Sequence, residues 1–338
     1  MNGKTAMAIN YRTAQAGLLF SEGFEPGAPM TLKERRARRE VLFAETLGSS
    51  LRRRGLAVAR ALRPSGIGAL AAGLDFVLRE RAIQPAGLPD PAHALASPDG
   101  LCGLVAEPRA EMVMEGLARG LFPAADCGPL QWWAPSRRNV LRPASCRLPA
   151  GARRLLRSDT LVFEIDADFD MTIAAHARAR GGWRSGHLFS PRGLSLLAGL
   201  ADLGYAHAID VEDALGRRVA GAFGVAVGQA FVTLGVFGET ADLADVALVV
   251  LNRHLKEKGF LLHDFVGDGD VSHLGFAPME RGAYQRALAG LADLGRAERW
   301  KVDRALCGRA SRATLGEKLP EPVRDHVDAD LAPRAIAA

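Results

Sequence analysis

The side chain in this sequence best placed to do chemistry is a carboxylate, Asp264, near the end of the apolar run 260–266 and beside His263. An acid at a strand end can orient an amine, take its proton, or only tie down backbone. Asp268 and Asp270 follow, as in a calcium loop, but the full ligand spacing and closing glutamate are missing, so no metal is expected. His263 and His273 read as packing or surface groups. A second candidate is the basic run KERRARRE at 33–40, with RRR at 52–54. Such arginines either form a solvated helix face or bind a polyanion by releasing its counterions. Lys33, Arg35, Arg36, Arg38 and Arg39 are the candidates for the second role. A third is the pair Trp132-Trp133, which must face opposite ways in a strand. Either both seal a domain junction, or Trp133 forms a substrate wall.

These residues have to be positioned by the stretch 203–266. The alternating runs 208–211 and 218–227 flank a polar turn at 212–216, which predicts a hairpin. A third strand is expected over 230–236. From Asp242 to Lys258 the apolar Leu243, Val246, Ala247, Val250, Leu251 and Leu255 recur at helical spacing, and Gly259 stands as the stop. The run with Asp264 then reads as a buried strand. Upstream, helices are expected over 32–62, 109–121, 170–179 and 192–203, and a short strand over 161–165. The fold class is α+β. The domains expected are a basic extension (1–87), a small N-terminal domain (88–150), a catalytic domain (151–300) and a tail (301–338).

Composition sets limits. The 338 residues suffice for two domains, and 48% hydrophobic with 24% charged residues describes a soluble globular chain. Four scattered cysteines argue against a disulfide framework or a zinc knuckle. No apolar run is long enough for a bilayer, and the N-terminus lacks a signal-peptide core, so a cytoplasmic protein without membrane contact is expected. Residues 1–87 hold 14 Lys and Arg against 7 Asp and Glu, while the whole chain carries +5. The surplus cations therefore lie in the extension.

The blocks GYAHAIDV, RRVAGAFGVAVGQAF, VALVVLNRHLKEKGF and LLHDF resemble those of the leucyl/phenylalanyl-tRNA-protein transferases. The likeness extends upstream through PDGLCGLVAEPRAEMVMEGLARGLFP and LQWWAPSRRNVL and downstream to HLGFAPMERGAYQRAL, over about 88–291. It implies a GNAT-type acyltransferase fold that moves an apolar amino acid from aminoacyl-tRNA to an acceptor amine at a protein N-terminus, with no cofactor beyond the tRNA co-substrate. It also implies that Asp264 handles the amine and that Phe231, Leu188, Leu234, Gly235, Phe237, Leu251, Leu255 and Trp133 bind the substrate. The sequence departs from the pattern where Leu234, Gly235 and Glu239 replace a glutamate, a serine and an arginine. Asp245 and Val266 replace a lysine and a glutamine, and Leu188 and Ala124 replace tryptophans. These departures imply a relative with another amino acid or acceptor. The alternatives are a silent paralogue that binds tRNA or protein N-termini, and a GNAT enzyme with another acyl donor.

Overall fold

The computed structural model describes residues 32–44, 87–105, 109–124, 130–158, 160–179, 191–267, 269–292 and 300. Leu188, the arginines at 52–54 and the tail beyond 300 lie outside them. Helix α1 (Leu32–Leu42) is followed by β1 (Leu101–Leu104), α2 (Ala110–Ala118), β2 (Phe122–Ala124), β3 (Gln131–Trp133) and β4 (Arg137–Leu141). Then come α3 (Ala150–Arg157), β5 (Val162–Ile165), α4 (Phe169–Ala179), α5 (Pro191–Asp202), β6 (Ala206–Glu212), β7 (Arg218–Val227) and β8 (Ala230–Gly238). Helix α6 (Ala241–Glu257), β9 (Leu262–Phe265), β10 (Ala277–Glu280) and α7 (Arg281–Ala292) complete the order.

The predicted hairpin is β6–β7. Asp213 closes its turn by accepting from the Leu215 and Arg217 amides, and Gly216 takes a φ of +71° that a side chain would oppose. Thr240 caps α6 by accepting from the Leu243 amide, and Gly259, at φ +81°, follows its last turn. Residues 246–252 of α6 are buried without a break. One arc rests on β6, β7 and β8, and α3 and the turn Pro143–Ser145 cover the outer side.

Seven strands form the main sheet in the order β10-β4-β9-β8-β7-β6-β5, antiparallel except for the pair β8–β9. A smaller sheet, β1-β3-β2, lies apart. Strand β4 falls in the stretch read as a separate small domain, yet it is paired between β10 and β9 in the main sheet. The boundary at 150 therefore does not follow the hydrogen bonding. The α6 face of the main sheet holds one apolar cluster, and the other face packs on α2, α4, α5 and the small sheet. Coverage on both faces explains why β7 is nearly continuously apolar and not alternating.

Between β7 and β8 the register slips: Gly224 faces Thr233 but Phe223 faces Gly235, which leaves Leu234 as an extra residue. A bulge of this kind reverses which side chains face which way beyond it. Phe231 lies with the α6 cluster, as does Val236, whereas Val232 and Leu234 lie with the opposite one.

Candidate active site

Strand alternation decides what Asp264 can do. His263 faces α6, so Asp264 faces the other way, toward β4, α7 and the small sheet. Its carboxylate is fully buried. The Arg138 guanidinium from β4 grips both oxygens, with Nε donating to Oδ1 at 3.2 Å and Nη2 donating to Oδ2. The Tyr284 hydroxyl from α7 also donates to Oδ2, at 2.9 Å. Arg138 spends a further N–H on the Gly120 carbonyl and lies over the rings of Phe122 and Tyr284, 4.8 and 4.7 Å from their centroids. Burial works against the charge on Arg138, but Asp264 outweighs it and holds the group above its usual value. Burial, with the charge of Asp264, pushes the Tyr284 hydroxyl well up. The expectation that Asp264 handles the amine beside Phe231, Leu251 and Leu255 does not agree with this geometry. Asp264 is on the opposite face from Phe231, Leu251 and Leu255, and both its oxygens are engaged inside the protein.

The expected substrate wall is divided as well. Phe231, Leu251 and Leu255 are packed in the α6 cluster, where Trp300 stacks between Phe231 (5.5 Å) and His207 (3.8 Å). Leu234 lies on the other face by simple alternation from Phe231, and the bulge then brings Gly235 and Phe237 to that face too. Gly235 and Phe237 face α4: a Cβ on Gly235 would come within 2.9 Å of the His176 ring, and the Phe237 ring centroid is 5.9 Å from that ring. Trp132 is buried against Gly116, while its neighbour Trp133 is half-buried on the other side of β3. The structure does not bring these residues into one lining.

A polar network stands beside Phe231 that no spacing in the sequence signals. His263 Nδ1 is 2.8 Å from Asn252 Oδ1, and its Nε2 is 2.6 Å from Thr233 Oγ1. Asn252 Nδ2 donates to the Leu248 carbonyl, so its Oδ1 is an acceptor and His263 carries its proton on Nδ1. Thr233 then donates to Nε2. Burial pushes His263 down to about 3. A ring held neutral and doubly bonded is a structural tie between β8, β9 and α6.

The strands themselves offer an opening. The parallel pairing of β8 and β9 ends at Thr233 and Phe265, closed by the Val266 amide donating to the Thr233 carbonyl at 3.0 Å. Beyond that point β8 runs on to Gly238 paired with β7 alone among the described residues. The backbone of Leu234–Gly238 therefore has one edge without a strand, and such an edge can bind another backbone or a carbonyl oxygen. His176 of α4 closes this wedge on one side, by its contacts with Gly235 and Phe237. On α6, Asp245 accepts from His273 at 2.9 Å.

The basic helix α1 does not present an arginine face to solvent. Arg35 pairs with Asp202 at 2.6 Å, Arg38 with Asp168, and Arg39 with Asp170 at 2.8 Å and Asp202 at 2.6 Å. Burial opposes the charge of Arg39, but its bonds to Asp202 and Asp170 prevail and hold it above its usual range. Three of the five expected RNA contacts are thus used to dock α1 on α4 and α5, and only Lys33 and Arg36 remain exposed. Arg39→Ala is expected to lower stability by about 1–2 kcal/mol, by stripping a buried Asp170 of its partner. RNA retention should stay unchanged, and thermal melts with a filter-binding assay would check both.

A different surface carries cations that, among the described residues, are mostly without an acidic partner. Residues 142–157 hold five arginines and no acid. Arg142, Arg147, Arg153, Arg154 and Arg157 are all exposed on α3 and the turn before it. Among the described residues one of them meets a carboxylate, Arg154 to Asp242 at 3.4 Å. The run was legible in the local composition, but the net negative balance of the chain beyond 87 hides it.

Residues 140–289 match the family model described as leucyl/phenylalanyl-tRNA protein transferase. A protein of that name from Aromatoleum aromaticum is 34% identical over 230 residues, covering 65% of this chain and 94% of the relative. One from Thiobacillus denitrificans is 33% identical over 205 residues, covering 60% and 88%. Among solved structures, a GCN5-related N-acetyltransferase from Kribbella flavida overlaps 48% of this chain and 58% of its own at 15% identity. The TM-score of that overlap is 0.30. No described helix is long and apolar enough to cross a membrane. The extent of the match to its relatives makes this chain a member of the leucyl/phenylalanyl-tRNA protein transferase family.

Proposed function

We propose that this protein transfers an apolar aminoacyl group from tRNA to the N-terminal amine of an acceptor protein. The observation that carries the reading is the 34% identity that spans 94% of a relative of that name. The parallel parting of β8 and β9 beside a bulge supports a GNAT-type arrangement, with the catalytic unit built from β4 to α7. The aminoacyl ester lies in the wedge against Leu234–Phe237, where edge N–H groups hold the carbonyl oxygen as it gains charge. The amine attacks that carbon, and the ribose oxygen leaves with the amine's proton as the amide forms. An α-amino group titrates near 8, so a useful fraction is already neutral at pH 7.5, and positioning replaces a dedicated base. Asp264 then serves by tying β4, β9 and α7 together behind the wedge.

A second reading, binding without transfer, is favoured by the close cover of Phe231, Leu251 and Leu255. The test is incubation with labelled leucyl- or phenylalanyl-tRNA and a peptide with an N-terminal Arg or Lys. Label is expected on the peptide. Salt-sensitive retention of the tRNA with no labelled peptide selects the second reading.

A further inference from the structure

We propose that Asp210 is a positioning residue for this transfer: as a neutral carboxylic acid it donates its proton to Thr172 and so seats α4 on the unpaired half of β8. The proposal rests on the wedge as the place of reaction. Asp210 sits in β6 with 1% exposure. Above it, Thr172 Oγ1 is 2.7 Å from Asp210 Oδ2 and 3.0 Å from the Asp168 carbonyl oxygen. A threonine has one hydroxyl hydrogen, and a carbonyl oxygen has none to give. With Asp210 ionised, two acceptors would contend for that hydrogen. With a proton on Asp210, each contact is a full hydrogen bond: Asp210 donates to Thr172, and Thr172 donates to Asp168.

The surroundings agree. Arg218 of β7 is the cation that faces the acid, but its Nε, 2.7 Å from Oδ1, is out of line, and neither atom has a hydrogen-bond partner among the described residues. An ionised acid would draw that guanidinium into line. Asp168, ahead of α4 and paired with Arg38 of α1, Glu212, on β6 itself, and Glu164, opposite Asp210 on β5, are the other charged groups around it. Burial pushes the acid up to about 7 against the pull of Arg218 and Thr172, with Asp168 and Glu212 adding to the rise.

The link to the wedge is one helical turn. His176 lies four residues beyond Thr172 and packs edge-on against Phe223 at 5.2 Å and Phe237 at 5.9 Å, beside Gly235. Loss of the proton from Asp210 sets it against Asp168 for the Thr172 hydrogen and places a second negative charge under the start of α4. The height of His176 over β8 then changes.

The experiment compares the wild type with Asp210→Asn, whose amide can donate to Thr172 but cannot ionise, and with Thr172→Val. Wild-type transfer should fall about tenfold per pH unit above about 7, while Asp210→Asn keeps its activity there and Thr172→Val is low at every pH. Because the folded acid lies above its unfolded value of 3.8, the wild type should lose melting temperature against Asp210→Asn from pH about 4 to about 7, and no further above that. The wild type should also show a carboxylic-acid C=O band in difference infrared spectra at pH 6 that the Asn variant lacks. A melting gap that stays constant across this range, or no such band, overturns the protonated Asp210. An alkaline limb that persists in Asp210→Asn overturns its positioning role. Absence of transfer in the wild type, with gap and band present, instead counts against the reading of the wedge.

Discussion

Arg138→Met should destabilise the protein by about 3–5 kcal/mol, because it leaves Asp264 charged, buried and without its cation. For a domain of this size that is a fall in melting temperature of the order of 10 °C. Two further losses run in the same direction. The guanidinium packs against the Phe122 and Tyr284 rings, an arrangement worth about 1 kcal/mol, and the Gly120 carbonyl loses a donor. The remedy shows where the cost lies. In the double variant Arg138→Met, Asp264→Leu no charge remains to be compensated, and apolar replacements of buried ion pairs are often neutral. The Tyr284 hydroxyl and the Gly120 carbonyl are then left without their partners, and adding Tyr284→Phe should restore much of the melting temperature. A single Asp264→Asn separates structure from catalysis. If the carboxylate were the base, transfer would vanish even at temperatures where the variant is folded. The sealed geometry predicts that activity follows the folded fraction, which parallel melts and transfer assays would measure.

The local elements were legible because each is written in a few consecutive residues. The β6–β7 hairpin, the helix read from Asp242 to Lys258 with Gly259 as its stop, and the strand of Asp264 all follow from periodicity and punctuation. What failed is what depends on long-range register. Leu234 is an ordinary strand residue until the β7 partner shows the slip from Gly224–Thr233 to Phe223–Gly235. Without that slip, Phe231 and Gly235 fall on one face, and a single substrate wall is the natural reading. The face of Asp264 follows from simple alternation once Phe231 and His263 are paired across β8 and β9. Its partner Arg138, 126 residues upstream, has no local signature. The same holds for α1, whose arginines read as an RNA face because Asp168, Asp170 and Asp202 are more than a hundred residues away. A count of charge along the chain cannot see a pair made in space.

The arginines of α3 give the largest expected effect on the RNA partner. Each phosphate contact releases condensed counterions, so the dependence of log affinity on log salt steepens by roughly 0.7–0.9 per contact. Replacing Arg153, Arg154 and Arg157 by Ala should therefore flatten that slope by about 2 and weaken tRNA retention roughly a hundredfold at moderate salt. Folding should be little affected. The three side chains are exposed, and the one ion pair they make among the described residues, Arg154 with Asp242 at 3.4 Å, is of the surface kind worth about 0–1 kcal/mol. The control is the pair Lys33→Ala, Arg36→Ala on α1, which removes two exposed cations near three arginines already matched by Asp168, Asp170 and Asp202. A local field so nearly balanced attracts a polyanion weakly, so the control should leave the slope close to that of the wild type. An unchanged slope in the α3 variant and a flattened one in the α1 variant would move the RNA to the other side of the molecule. The charge in excess is then not what guides the donor to the wedge.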